Sequence, residues 1–250
     1  MPPDHRKSII LKLKRLSPAQ MAYVDNLLSG LTREVESFRA PTSTIVTARF
    51  LEEFGIELRG HHGLSERPMT KSQFEDAIDR VFRRCGARSE LACQGNPGHD
   101  ITVENVRYSL KTQANRSIRA DFVWISKFME LGKGDWTDKD EQLRGLLKQF
   151  LRHMNSYERI LVLRATCINR RSNKWKYELI EIPKTLLQEA ATGTLEMMHA
   201  STQRPKPGYC TVNDAKGTKF QLYFDGGTER KLQVKKLRKD QCIIHATWEF

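Results

Sequence analysis

Between residues 70 and 165 the sequence carries helical and extended patterns in an order that few folds accommodate. A capping box at residues 70–73 precedes apolar residues at helical spacing, which predicts a helix with one buried stripe. Two short extended runs, at 100–103 and 106–112, then flank Glu104-Asn105, and this pattern predicts an antiparallel hairpin. The stretch therefore begins as a capped helix followed by a hairpin.

The second half of the same stretch completes the pattern. Residues 122–125 predict a third strand, and apolar residues between 143 and 154 predict a long amphipathic helix. The uninterrupted apolar run at 160–163 predicts a buried strand. The resulting order of helix, three strands, helix and strand predicts an α/β (α+β) fold whose core of sheet and flanking helices spans residues 70–165.

The region before this core, residues 1–69, is predicted to be helical. Ser17 caps a helix that is expected to extend to about residue 38, within ordinary boundary error. A second helix follows at 45–54 with Gly55 as its stop, and residues 60–63 are expected to form a loop.

The region after the core, residues 166–250, is predicted to be mainly β and to pack on the core. It contains a strand at 177–182, a short helix near 186–191 and several strands between 209 and 248. No internal repeat or low-complexity linker separates the regions, so we expect lobes on one core rather than separate domains.

The chain is strongly basic, and this favours a polyanionic partner. Its 42 Lys and Arg residues outnumber 30 Asp and Glu residues, giving a net charge of +12 that is spread along the sequence. A folded basic surface that binds nucleic acid is therefore expected. The sequence has no apolar run long enough to span a membrane and no signal-peptide pattern, so we expect a cytoplasmic protein with no membrane contact.

Cysteine and histidine residues indicate neither disulfide bonds nor zinc. The five cysteines are odd in number, widely spaced and never arranged as Cys-x-x-Cys. Adjacent His61 and His62, and His99 beside Asp100, have no second pair at ligand spacing. We expect the cysteines to be reduced.

Asp100 and Lys111 are candidate catalytic residues, and Ser109 and Glu75 are further candidates. Asp100 opens one strand of the predicted hairpin, while Ser109 and Lys111 alternate onto one face of the other strand. Hydrolysis of a phosphodiester needs an oxygen ligand for a hard divalent cation and a group that positions water, and aspartate and lysine supply both. The alternative is that Asp100 is a turn residue and Lys111 a solvated strand residue.

Two segments carry a family resemblance. Asn96-Pro97-Gly98-His99-Asp100 and Ser109-Leu110-Lys111-Thr112-Gln113 resemble the active-site region of type II restriction endonucleases of the PD-(D/E)XK superfamily. Longer blocks at 126–134, 222–232 and 245–250 carry the same resemblance over most of the chain after residue 90. The resemblance implies a restriction-endonuclease-like mixed sheet and Mg²⁺-dependent, sequence-specific cleavage of double-stranded DNA, which leaves 5′-phosphate and 3′-hydroxyl ends.

The resemblance also implies roles for individual residues. Asp100 would bind Mg²⁺, the backbone carbonyl of Leu110 would share the ion, and Lys111 would orient the attacking water. The acidic residue that the family usually has two positions before the lysine is Ser109 here, which leaves the second carboxylate open. Glu75 on the preceding helix is one candidate, although it also fits a solvated helix position near the N-terminus. Glu104, at the far end of the hairpin, is a weaker one.

Basic and polar residues outside the catalytic segments are candidates for DNA binding. Such residues mostly contact phosphates and do not read sequence. The candidates are Gln113, Arg116, Arg119, Arg230, Lys231, Lys235, Lys236, Arg238 and Lys239.

The expected assembly is a homodimer, because a two-fold protein matches a palindromic site. We expect no nucleotide cofactor. The resemblance suggests that the site is short and GC-rich. Two other functions remain open on the sequence: a structure-selective repair or recombination nuclease on the same core, and a non-catalytic DNA-binding regulator, for which the basic charge would suffice.

Overall fold

The computed structural model describes residues 3–93, 95–96, 98–114, 118–132, 136–169 and 174–250. Six α-helices and twelve strands lie in this part of the chain. The helices are α1 (Pro3–Leu13), α2 (Pro18–Leu31), α3 (Ala48–Leu64), α4 (Lys71–Arg84), α5 (Glu141–His153) and α6 (Lys184–Gln188). The strands are β1 (Glu36–Arg39), β2 (Ser89–Leu91), β3 (Ile101–Val103), β4 (Val106–Gln113), β5 (Phe122–Glu130), β6 (Arg159–Asn169), β7 (Lys174–Glu181), β8 (Thr194–Met197), β9 (Gly208–Asp214), β10 (Gly217–Asp225), β11 (Lys231–Arg238) and β12 (Ile243–Glu249).

The strands form two sheets, and the predicted α/β (α+β) class with a mixed sheet is confirmed. A seven-stranded sheet has the order β1-β12-β7-β6-β4-β3-β2, and a five-stranded antiparallel sheet has the order β5-β11-β10-β9-β8. Strands β4 and β6 pair in parallel, with α5 in the crossover between them. A parallel pair needs such a long connection, whereas the antiparallel neighbours can be joined by short turns.

The predicted hairpin is present as β3 and β4. Its turn residues Glu104 and Asn105 have φ angles of 47° and 71°, the left-handed conformation of a type I′ hairpin turn. Ile101 pairs with Tyr108, so Asp100 lies just beyond the last ladder pair, beside the continuing β4. The turn therefore sets the register that brings Asp100 to β4.

The third predicted strand exists, but not in the sheet that the sequence pattern suggested. Strand β5 pairs with β11, where Met129 lies opposite Leu232, and belongs to the five-stranded sheet. Periodicity shows which residues form a strand, but the partner is set by packing that is distant in sequence. The two sheets approach each other at β4 and β5, where the candidate site lies.

The N-terminal prediction was wrong at three points. Helix α2 ends at Leu31 instead of near residue 38, and residues 36–39 form β1, which pairs with β12. Helix α3 continues through Gly55 and through the predicted loop at 60–63. Gly55 allows close packing instead of ending the helix, because a Cβ there would lie 3.3 Å from the Trp248 ring. The sequence analysis also did not predict α1.

Two hydrophobic clusters lie on opposite faces of the seven-stranded sheet. Successive β6 residues alternate between them, with Ile160 and Val162 in the cluster that includes α5 and Leu161 and Leu163 in the cluster that includes α3 and α4. Burial on both faces explains the continuous apolar run of this strand. The remaining predicted elements, the helix at 143–154, the strand at 177–182 and the helix near 186–191, are confirmed.

Within the described ranges, the structure contains no helix that is both long and apolar enough to cross a membrane. All five cysteines are free.

Candidate active site

Asp100 is fixed at the point where β3 meets β4. Its backbone N–H donates to the carbonyl of Tyr108 at 2.8 Å. Its carboxylate Oδ2 accepts the backbone N–H of Leu110 at 2.6 Å and the hydroxyl of Ser109 at 3.3 Å. Beyond the end of the β3–β4 pairing, the carboxylate thus accepts the Leu110 N–H in place of a backbone carbonyl. Since the N–H and C=O of one strand residue face the same neighbour, the Leu110 carbonyl faces this edge too.

Lys111 is buried beside Asp100. Its Nζ donates to Ser109 Oγ at 2.9 Å, lies 3.9 Å from Asp100 Oδ2, and sits 5.4 Å from the centre of the Phe128 ring. The contact with Ser109 confirms that the two side chains share one face of β4. Burial lowers the pKa of Lys111 to about 8, although the carboxylate of Asp100 opposes this shift. An ammonium near its pKa can hold a water molecule and exchange a proton with it.

Glu75 and Asp100 converge on one cation, Lys71. The Lys71 ammonium lies 2.6 Å from Glu75 Oε1 and 2.6 Å from Asp100 Oδ1. Helix α4 brings this pair to the site because Lys71 and Glu75 are one helical turn apart, on the side that faces the hairpin. The structure therefore brings together Glu75, Asp100, Ser109 and Lys111, the four side chains that the sequence analysis named as catalytic candidates.

The charges around Asp100 set its ionisation. Burial alone would raise the pKa of its carboxyl, but the charge of Lys111 and the hydrogen bond and charge of Lys71 outweigh this effect, and the pKa of Asp100 is lowered.

Two buried side chains next to this site also have shifted pKa values. Burial and the charge of Lys111 lower the pKa of His153, at the end of α5, to about 4. The side chain of Tyr157 is also buried, its hydroxyl has no hydrogen-bond partner in the described part of the chain, and burial and Asp100 raise its pKa.

The donor atoms at this edge fit a hard divalent cation. Two carboxylates from α4 and from the hairpin already share one positive charge, and the Leu110 carbonyl faces the same edge. Mg²⁺ takes oxygen ligands and is usually held by one or two carboxylates plus water and substrate phosphates. No cluster of three or more His, Cys, Asp or Glu side chains suited to a metal occurs among the described residues, so two carboxylates are what the protein offers here.

Several predicted DNA-binding residues already have protein partners. Gln113 is buried, and its amide oxygen accepts from Arg164 at 2.9 Å. Ion pairs hold the other engaged side chains: Lys231 with Glu229, Arg238 with Asp214, and Lys239 with Glu178. These contacts leave those groups less available to phosphates.

Other predicted DNA-binding residues are more open. Arg119 and Lys236 are exposed, whereas Lys235 is partly buried, 3.6 Å from the centre of the Tyr223 ring. Arg230 and Lys236 form no ion pair within the described part of the chain. Arg116 lies outside the described residues.

Glu104 does not reach the site. It lies in the hairpin turn and accepts the backbone N–H of Arg88 at 2.6 Å. This leaves Glu75 as the acidic partner of Asp100.

The sequence analysis missed four residues near Asp100: Lys71, Phe128, His153 and Tyr157. A signal for Lys71 was present, because it lies four positions before Glu75 on the predicted helix. The other three come from elements whose position relative to the hairpin depends on how the sheets pack. Phe128 lies in the block at 126–134 that carries the family resemblance, but that block does not indicate a contact with Lys111.

Comparisons with known proteins identify the family of the chain. The chain belongs to a family of type II site-specific deoxyribonucleases, the SmaI family, whose model matches residues 10–250. The type II restriction enzyme SmaI of Serratia marcescens is 43% identical to it over 230 residues, which cover 90% of each chain. The chain is thus a type II site-specific deoxyribonuclease by family. No solved structure matches it significantly.

Proposed function

We propose that the protein hydrolyses one phosphodiester in each strand of double-stranded DNA at a short palindromic site, with Mg²⁺ as cofactor. The observation that carries this proposal is the convergence of Glu75 and Asp100 on a single cation, beside the buried Lys111. The membership of the family and the name of the Serratia marcescens relative support DNA as the substrate. We also propose that the core belongs to the PD-(D/E)XK superfamily.

Each residue of the site has a defined task in this proposal. Asp100, Glu75 and the Leu110 carbonyl hold Mg²⁺, which, when bound, neutralises phosphate charge and makes water more acidic. Lys111 orients the attacking water and takes part in its proton transfer. Ser109 donates a hydrogen bond to Asp100 and accepts one from Lys111, and so it holds the ammonium and the carboxylate in position relative to each other. Phe128 covers Lys111 and excludes bulk water from it.

DNA is proposed to contact basic side chains outside this edge as well. The basic candidates with no ion pair in the described residues, which are Arg119, Arg230, Lys235 and Lys236, suit phosphate contacts. Lys231, Arg238 and Lys239 would have to exchange a carboxylate for a phosphate. The recognition sequence is proposed to be GC-rich, and the active form a homodimer in the cytoplasm, where DNA is accessible.

Incubation of the purified protein with a sequenced plasmid tests the proposal. With Mg²⁺ we expect discrete fragments whose mapped ends share one palindrome, and with EDTA no cleavage. Asp100→Asn, which removes a ligand charge without removing bulk, should abolish cutting and leave DNA binding largely intact.

Two other results would contradict the proposal. Cleavage only at forks or ends would indicate a structure-selective nuclease. Binding without any cleavage by the wild-type protein would indicate a regulator.

A further inference from the structure

Lys71 is the one residue that contacts both proposed carboxylate ligands at ion-pair distance in the described structure. Its ammonium lies 2.6 Å from an oxygen of each. Glu75 and Asp100 come from different elements, and two carboxylates brought together out of water would repel each other and resist ionisation. One positive charge between them removes that repulsion.

The position of Lys71 in its helix does not explain its presence. It is the first residue of α4, where the partial positive charge of the helix N-terminus disfavours a cation. It also precedes Glu75 by four residues, which is the weaker orientation of a helical ion pair. The carboxylates, and not the helix, therefore account for the placement of this ammonium.

Lys71 and a divalent ion cannot occupy this place together. Mg²⁺ binds oxygen at about 2.0–2.1 Å, and an ammonium 2.6 Å from the same two oxygens fills the space between them. Of the two lysines beside Asp100, Lys111 is 9% exposed and enclosed, whereas Lys71 is 44% exposed and can turn outward. Lys71 is thus the cation that can leave.

We propose that Lys71 acts as an internal counterion that occupies the metal position in the DNA-free protein and must swing out before a divalent ion binds. The inference rests on the proposed metal-dependent function. Its consequence is weak metal binding by the free protein, because every binding event must break two short ion pairs. A DNA phosphate would offer the released ammonium a new partner, so substrate binding would favour metal loading.

The test measures Mn²⁺ binding to the DNA-free protein by electron paramagnetic resonance. Lys71→Met should bind Mn²⁺ at least about tenfold more tightly than wild type, a change of about 1.4 kcal/mol. Lys127→Met is the matched control, because it also removes one positive charge. Lys127 lies close enough to Lys71 for the two charges to interact, but the Lys127 ammonium pairs with Glu130 and not with Glu75 or Asp100. We expect the affinity of this control to stay near that of wild type.

A double variant locates the bound ion. Lys71→Met combined with Asp100→Asn should lose the tight binding. If Lys71→Met binds Mn²⁺ no more tightly than wild type, or if the double variant keeps the gain, the proposal is overturned. Lys71→Gln serves in place of Lys71→Met if thermal unfolding shows that the latter does not fold. Mg²⁺-dependent cleavage by the wild type tests the proposed function separately, so either idea can fail alone.

Discussion

Glu75 can be tested against its immediate neighbour on α4. Glu75→Gln should reduce cleavage on the order of 100-fold, a loss of about 2.7 kcal/mol of transition-state stabilisation, and raise the Mg²⁺ requirement. Asp76→Asn removes the same charge from an exposed position and should have little effect. Rates measured over a Mg²⁺ series decide the matter, and equal, mild effects would return Glu75 to a solvated helix position.

Lys111 links catalysis to pH-dependent stability. Its folded-state pKa of about 8 lies below the ordinary value of 10.5, so the unfolded chain binds more protons between those two pH values. The free energy of unfolding therefore rises with pH across this window, by up to about 3 kcal/mol from this residue. Lys111→Met should lose cleavage and flatten the rise, as measured by denaturant unfolding from pH 7 to 10.5. An unchanged pH profile would contradict the burial of a titrating ammonium here.

At the scale of elements, the contact between α2 and α3 depends on a glycine. A Cβ on Gly63 would lie 2.9 Å from the backbone oxygen of Asn26, whereas a Cβ on Gly60 meets only side-chain atoms at 3.6 Å and beyond. Gly63→Ala should therefore cost about 1–3 kcal/mol by forcing the helices apart. Gly60→Ala should stabilise by up to about 1 kcal/mol, because alanine favours helix. Thermal unfolding of both variants tests this difference in stability. Equal changes in the stability of Gly63→Ala and Gly60→Ala would contradict the prediction.

The same glycines explain why part of the fold escaped prediction. Gly55, Gly60 and Gly63 read as helix breakers in sequence, yet all three lie inside α3. Trp248 approaches Gly55 closely and α2 approaches Gly63 closely. The β3–β4 hairpin, by contrast, was predictable because its turn residues and alternation are local signals. Asp100, Ser109 and Lys111 followed from that hairpin. The sheet that β5 joins could not be predicted, because the pairing of β5 with the distant β11 leaves no local signal in the sequence.

At the scale of the whole molecule, the proposed homodimer would use the one candidate catalytic centre of each described chain to cut one DNA strand. Light scattering should give twice the 28.9 kDa of one chain for the active form. Dimers that mix wild type with Asp100→Asn should nick plasmid DNA in one strand. Double-strand cuts by a protein of single-chain mass would contradict this assembly.

Strand β1 at the edge of the large sheet pairs with β12, which joins Glu36 to Glu249. A ribosome adds about 5–20 residues per second, so β1 emerges roughly 10–40 seconds before its partner exists. During that interval the β1 segment lacks the partner that it has in the folded sheet, and other chains could pair with it instead. The sheet that carries Asp100 and Lys111 is complete only when translation has passed β12. The scaffold of the nuclease is therefore completed late in synthesis. A chain that is arrested earlier lacks β12, the strand that joins β1 to the rest of the sheet.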